Sequence, residues 1–315
     1  MVRRLFTVTF VFFLNLGALD CSSDESPPAP PPGPMDSSSP TAESGADSPG
    51  SAESSGDSPG PAPDADSSSP GKGIDLVGHE PLFNRGMNAA PALYGDAWAA
   101  LVRWQLASRE GVLPRYDEAL LRRELDLFPE WYVGKHLGAT LTAAQKATLD
   151  KAFRTILDNN LAQPTVFVHR DYHSRNLMVS EPNPGILDFQ GAVCGPVTYD
   201  LVSLLRDAYV EWDEERQIDW AVRYWETARA ARLPVGEDFS AFWRDFEWMG
   251  VQRQLKVLGI FARLHHRDGK DGYLKEMPRV MRYVRGACAR YRELLPLLRV
   301  LDELQQRQSV TGLTF

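Results

Sequence analysis

One stretch of this chain has almost nothing to bury, and it limits how much of the rest can fold. From Ser22 to Gly73 the sequence is nearly all Ser, Pro, Gly, Ala, Asp and Glu, with no aromatic residue and little apolar bulk beyond Met35. Burial within such a segment cannot offset the entropy of ordering it, so it reads as a disordered acidic linker. Asp-Ser-Pro-Gly at Asp47 and again at Asp57 is a low-complexity echo rather than a structural repeat. The expected organisation is therefore a hydrophobic, signal-like segment over 1–21, the linker over 22–75, and one folded domain over 76–308.

The linker also accounts for much of the net charge of −8. The folded part carries no basic tract, so no nucleic-acid partner is expected. Cys21, Cys194 and Cys288 lie far apart with no Cys-x-x-Cys spacing, which gives neither a zinc site nor an evident disulfide framework. That pattern fits a reduced, intracellular protein. The N-terminus points the other way. Arg3 and Arg4 precede an apolar run from Leu5 to Leu19, the layout of a secretory signal and too short to span a bilayer comfortably. Cys21 before a Ser-rich stretch resembles a bacterial lipoprotein start, although Asp20 is unusual there. A membrane association is expected only if that segment acts as a signal.

Helical spacing dominates the folded part. Trp98, Leu101 and Val102 mark one amphipathic helix over 97–107, and Leu120, Leu121, Leu125 and Phe128 a second over 116–128. Pro129 is expected to stop or redirect the chain. Thr142-Ala-Ala-Gln145 forms a capping box for a third helix that frays at Asn159-Asn160. Val166-Phe-Val168 reads as a short strand, and Leu177-Met-Val179 and Ile186-Leu-Asp-Phe189 as a hairpin around the turn Glu181-Pro-Asn-Pro-Gly185. Helices are expected over 199–210, 217–231, 239–264 and 278–301, with Trp220, Trp225, Trp243, Trp248, Cys194 and Cys288 as core residues. The fold class is mainly α with a small central β-hairpin.

The chemistry sits between strand and hairpin, in His169-Arg-Asp-Tyr-His-Ser-Arg-Asn176 followed by Asp188-Phe189. Phosphoryl transfer needs a carboxylate to orient the attacking hydroxyl and oxygen ligands to hold magnesium against nucleotide phosphates. Asp171 on the loop can serve the first purpose. Asn176 and Asp188, folded together by the hairpin, can serve the second. Alternate spacing of His169, Asp171 and His173 also admits a metal-hydrolase reading, which would need further His or carboxylate ligands; the other histidines of the folded part are His79, His136, His265 and His266.

His-x-Asp-x-x-x-x-Asn followed by a strand ending in Asp resembles the aminoglycoside phosphotransferases and their choline and homoserine kinase relatives. Leu187-Asp-Phe-Gln190, the run Gly195-Pro-Val-Thr-Tyr-Asp200 to Asp207, and Phe246-Glu-Trp-Met-Gly-Val-Gln252 resemble the bacterial anomeric N-acetylmuramate and N-acetylglucosamine kinases of cell-wall recycling. The likeness runs from about Leu93 to Asp302. It implies the C-terminal lobe of a protein-kinase-like fold, ATP as phosphoryl donor, Mg2+ as cofactor, and a small-molecule sugar and a nucleotide as partners. It further implies Asp171 as catalytic base, His169 as a brace for its loop, and Asn176 and Asp188 as magnesium ligands. Asp200 would hold the catalytic-loop backbone, with His173 and Arg175 in supporting roles.

The same likeness calls for an N-terminal β lobe that clamps the nucleotide, and only about Gly73–Pro91 is available for it. Lys72, alone before Lys135, sits in Ser-Pro-Gly-Lys-Gly with no strand around it. No nucleotide-binding residue is therefore assigned. The lobe is expected to be missing, and two other readings stand beside the sugar kinase: a truncated, non-enzymatic pseudokinase, and an exported binding module.

Overall fold

The computed structural model describes Glu80–Pro81 and residues 89–311, all within one unit of the chain, Ala62–Phe315. The signal-like segment, the linker and the expected absence of an N-terminal lobe fall outside the described residues.

Helix α1 (Ala90–Leu106) starts earlier than the Trp98/Leu101/Val102 pattern indicates, because Ala90, Tyr94 and Ala97 extend the same buried face and Pro91 fits in the first turn. Helix α2 (Glu118–Leu127) is capped by Asp117, whose carboxylate accepts the Leu120 N–H at 2.9 Å. Pro129 does not stop the chain. It occupies the first turn of a π-helix, Phe128–His136, where its missing N–H leaves no bond unmade. The capping box opens α3 (Ala143–Leu161) as expected, with Thr142 and Gln145 exchanging bonds of 3.0 and 3.2 Å. The last turn of α3 does not fray, since Asn160 is buried and Asn159 donates to Asp245 at 3.0 Å.

Four further strands follow. β2 (Thr165–Val168) pairs antiparallel with β5 (Val193–Pro196), Thr165 opposite Pro196. β3 (Leu177–Val179) and β4 (Gly185–Ile186) form the expected hairpin, and β1 (Glu80–Pro81) adds to its outer edge with Glu80 opposite Val179. The hairpin's second strand is shorter than its sequence implies. It ends at Ile186, because Leu187 N–H turns to the Asn176 carbonyl at 3.0 Å and Asp188 adopts a left-handed backbone, φ 66°.

Beyond β5, α4 (Tyr199–Leu205) ends five residues before the expected Val210, and the chain then loops around Asp207. Asp213 caps α5 (Glu214–Ala230), and Asp238 caps α6 (Phe239–Asp268), which stops at left-handed Gly269. α6 is buried continuously from Phe246 to Gly259 and forms the axis of the core. The single helix expected over 278–301 is two, α7 (Met277–Arg290) and α8 (Leu295–Thr311), separated by an extended Tyr291. Tyr291 donates its hydroxyl to Glu247 at 2.7 Å, and Glu247 also takes Arg206 at 2.8 Å in a fully buried ion pair. Trp220, Trp248 and Cys288 are buried as expected, whereas Trp225, Trp243 and Cys194 are only partly so. Among the described residues no helix is long and apolar enough to cross a membrane.

Candidate active site

β2 delivers the chain to His169, and from there Asp200 takes over. Fully buried at the start of α4, its carboxylate accepts the backbone N–H groups of His169 at 2.6 Å and Arg170 at 3.0 Å. Burial raises its pKa to about 7, and those two N–H donors pull the other way. The grip fixes Arg170 with φ 76°, a conformation that few residues other than glycine adopt, and turns Asp171 out of the strand direction.

Asp171 is half-buried, and its carbonyl accepts from His173 N–H at 3.0 Å and from the Asn176 side-chain amide at 3.1 Å. With its amide nitrogen committed, Asn176 has its side-chain oxygen without a donor among the described residues. The Asn176 backbone carbonyl holds Leu187 N–H, which places Asp188 beside the loop. Burial raises the Asp188 carboxyl pKa, and the Asp171 charge raises it further, as two carboxylates facing one space must. Gln190 donates to one Asp188 oxygen. The hairpin thus brings together the three oxygen-bearing side chains that the spacing singled out.

The remaining predicted residues surround them. His169 is buried against Trp104 and Tyr172, and burial, opposed by Asp171, lowers its pKa to about 4, so the ring is neutral. The ring of His173 packs edge-on to Tyr209, and burial lowers its pKa too. Arg175 lies 3.5 Å over the face of the same Tyr209. The two histidines pack among different aromatic neighbours. Among the described residues no group of three or more His, Cys, Asp or Glu is arranged to hold a metal unaided, so His136, His265 and His266 complete no hydrolase ligand set there; His79 lies outside the described residues. Asn176 and Asp188 suit a different role: two hard oxygen donors are what magnesium takes from a protein when phosphates and water complete its shell.

Two residues escaped the sequence reading. Asp207 accepts both the backbone N–H of Ser174, at 3.0 Å, and its hydroxyl, and so pins the second half of the loop. Glu124, on α2, pairs with Arg170 at 2.5 Å. Each left a faint signal: Asp207 follows closely on the apolar run Leu204-Leu205, and Glu124 falls at helical spacing on the face of Leu121, Leu125 and Phe128.

Comparison with known proteins gives consistent results. The family model described as the phosphotransferase enzyme family matches residues 70–237. The N-acetylmuramate/N-acetylglucosamine kinase of Neisseria meningitidis serogroup B is 54% identical over 235 residues, 74% of this chain and 70% of that protein. Those of Pseudomonas putida and Pseudomonas aeruginosa are 53% and 50% identical, each over 69% of this chain and 64% of the relative.

Proposed function

This chain belongs to the phosphotransferase enzyme family, and on that premise we propose that it is an ATP-dependent kinase for the anomeric hydroxyl of N-acetylmuramate or N-acetylglucosamine, in cell-wall recycling. The observation that carries the reading is the hydrogen bond from Asn176 to the Asp171 carbonyl, together with that from Leu187 to Asn176, because these gather Asp171, Asn176 and Asp188 around one space. The names of the relatives supply the sugar and the site supplies the reaction type.

In this reading Asp171 orients the acceptor hydroxyl and accepts its proton as the oxygen attacks the γ-phosphorus of ATP. The bond to the bridging oxygen breaks, and ADP leaves with its electron pair. Asn176 and Asp188 would hold Mg2+, which when bound neutralises charge on the phosphates. His169, kept neutral by burial, braces the loop without competing for the proton, and Asp200 fixes the backbone on which Asp171 rides. His173 and Arg175 pack the far end of the loop on Tyr209. In this reading the need for ATP supports a cytoplasmic location.

The product identifies the reaction. With ATP, magnesium and either sugar, phosphorus NMR should show a sugar phosphate coupled to the anomeric proton. Phosphate coupled to a methylene group, or ADP formed without any sugar phosphate, would refute the assignment.

A further inference from the structure

α2 carries a carboxylate where its apolar face should continue. Leu121, Leu125 and Phe128 are fully buried, and Glu124 sits in register with them, 5% exposed. Burial alone would raise its pKa and favour the neutral acid. Lys256 and Arg170 outweigh burial and hold the carboxyl at about 2, so it stays ionised.

Its partners come from three separate parts of the chain. One oxygen takes Arg170 of the catalytic loop at 2.5 Å and Lys256 of α6 at 2.9 Å. The other accepts the Tyr116 hydroxyl and, at 3.3 Å, the amide of Gln252, also on α6. Lys256 in turn bonds the hydroxyl of Tyr199, the residue before Asp200, at 3.1 Å. The two helices are held at close approach here: a side-chain carbon on Gly259 would lie 2.5 Å from the Leu127 backbone.

Arg170 is the residue before Asp171. Its backbone is left-handed, fixed from one side by Asp200, and its guanidinium reaches Glu124 with one nitrogen and the Gly191 carbonyl, at 3.4 Å, with another. It also lies 5.5 Å from the Tyr116 ring centre. Freed from Glu124, an arginine that is 22% exposed would find water, and only the long bond to the Gly191 carbonyl and the Tyr116 ring would be left to hold its side-chain end.

We infer that Glu124 is a positioning residue of the catalytic loop: by clamping Arg170 between α2, α6 and the segment after Asp188, it sets the direction in which Asp171 points. The inference rests on the kinase reading only for its activity readout.

The test uses the full chain with Glu124→Gln, which keeps the shape and removes the charge. Amide exchange across 169–177 should quicken by at least about tenfold while exchange in α5 and α7 stays unchanged. Sugar-dependent kcat should fall by at least about tenfold with the sugar KM within about threefold, and Glu124→Asp should restore part of the loss. A folded Glu124→Gln protein with unchanged loop exchange would overturn the inference. If that variant does not fold, Arg170→Lys replaces it, since lysine keeps the charge but not the two-pronged reach; faster loop exchange supports the clamp, and unchanged exchange refutes it. Absence of turnover in the wild-type protein would count against the sugar-kinase reading alone, because loop exchange is measured without substrate.

Discussion

Asp200 satisfies two consecutive backbone N–H groups where a strand gives way to a reactive loop, and no other described acceptor reaches either. Asp200→Ala should therefore leave both donors unpaired, each at a cost of about 1–3 kcal/mol, read as a lower denaturation midpoint. Asp200→Asn should cost less, because its one side-chain oxygen can still accept from one of them; an alanine variant as stable as the asparagine variant would contradict this role. Asn176 acts differently. Its amide nitrogen is tied to the Asp171 carbonyl and its oxygen is left for a cation, so Asn176→Ala should raise the magnesium concentration needed for half-maximal turnover. An unchanged magnesium dependence would remove Asn176 from the proposed ligand set.

At the scale of elements, the site depends on where α2 and α6 meet. Gly259 is the contact point, and an added methyl would run into Leu127 backbone, which cannot move aside as a flexible side chain could. Gly259→Ala should cost about 1–3 kcal/mol by overpacking, seen in chemical denaturation, and should loosen the loop through Glu124. A variant as stable as wild type would show that the helices have room to part. The sequence made much of this level readable where signals are local: the Thr142 capping box, the hairpin turn and the faces of α1 and α2. It concealed the elements fixed by distant partners. β5 contains Gly195 and Pro196, poor strand formers, and exists because β2 lies beside it. The break at Tyr291 is signalled only by Pro296, in the first turn of α8, and is held by the tyrosine's bond to Glu247. The π-helix continues through a proline that ordinarily ends helices.

For the whole molecule, stability against pH should carry two opposed signatures from this site. His169 has a pKa of about 4 when folded, against roughly 6.5 for an unfolded histidine. Between those values the unfolded chain binds a proton that the folded chain refuses, so this contribution, on the order of 3 kcal/mol, is complete above the window and lost as pH falls through it. Asp200 runs the other way. Its folded pKa of about 7 lies above the ordinary carboxylate value, so the stability it contributes at low pH is lost as pH rises. The gap in stability between wild type and His169→Asn should therefore shrink from ~pH 7 to ~pH 4.5, and that between wild type and Asp200→Asn should shrink as pH rises over the same range. Either gap moving in the opposite direction would contradict the burial that sets these values.

The proposed catalytic constellation could be picked out because it is compressed into twenty residues, His169 to Asp188, with fixed spacing. Glu124 and Asp207 were not, since what makes them matter is partners 46 and 33 residues away. In the proposed mechanism this loop performs phosphoryl transfer with Asp171 facing the acceptor. The most direct test is steady-state sugar-dependent ATP turnover by the 315-residue chain beside Asp171→Ala. Turnover is expected in the first and a loss of about 10²–10⁴-fold in the second, the range for removing a positioned base. Equal rates in the two proteins would contradict it.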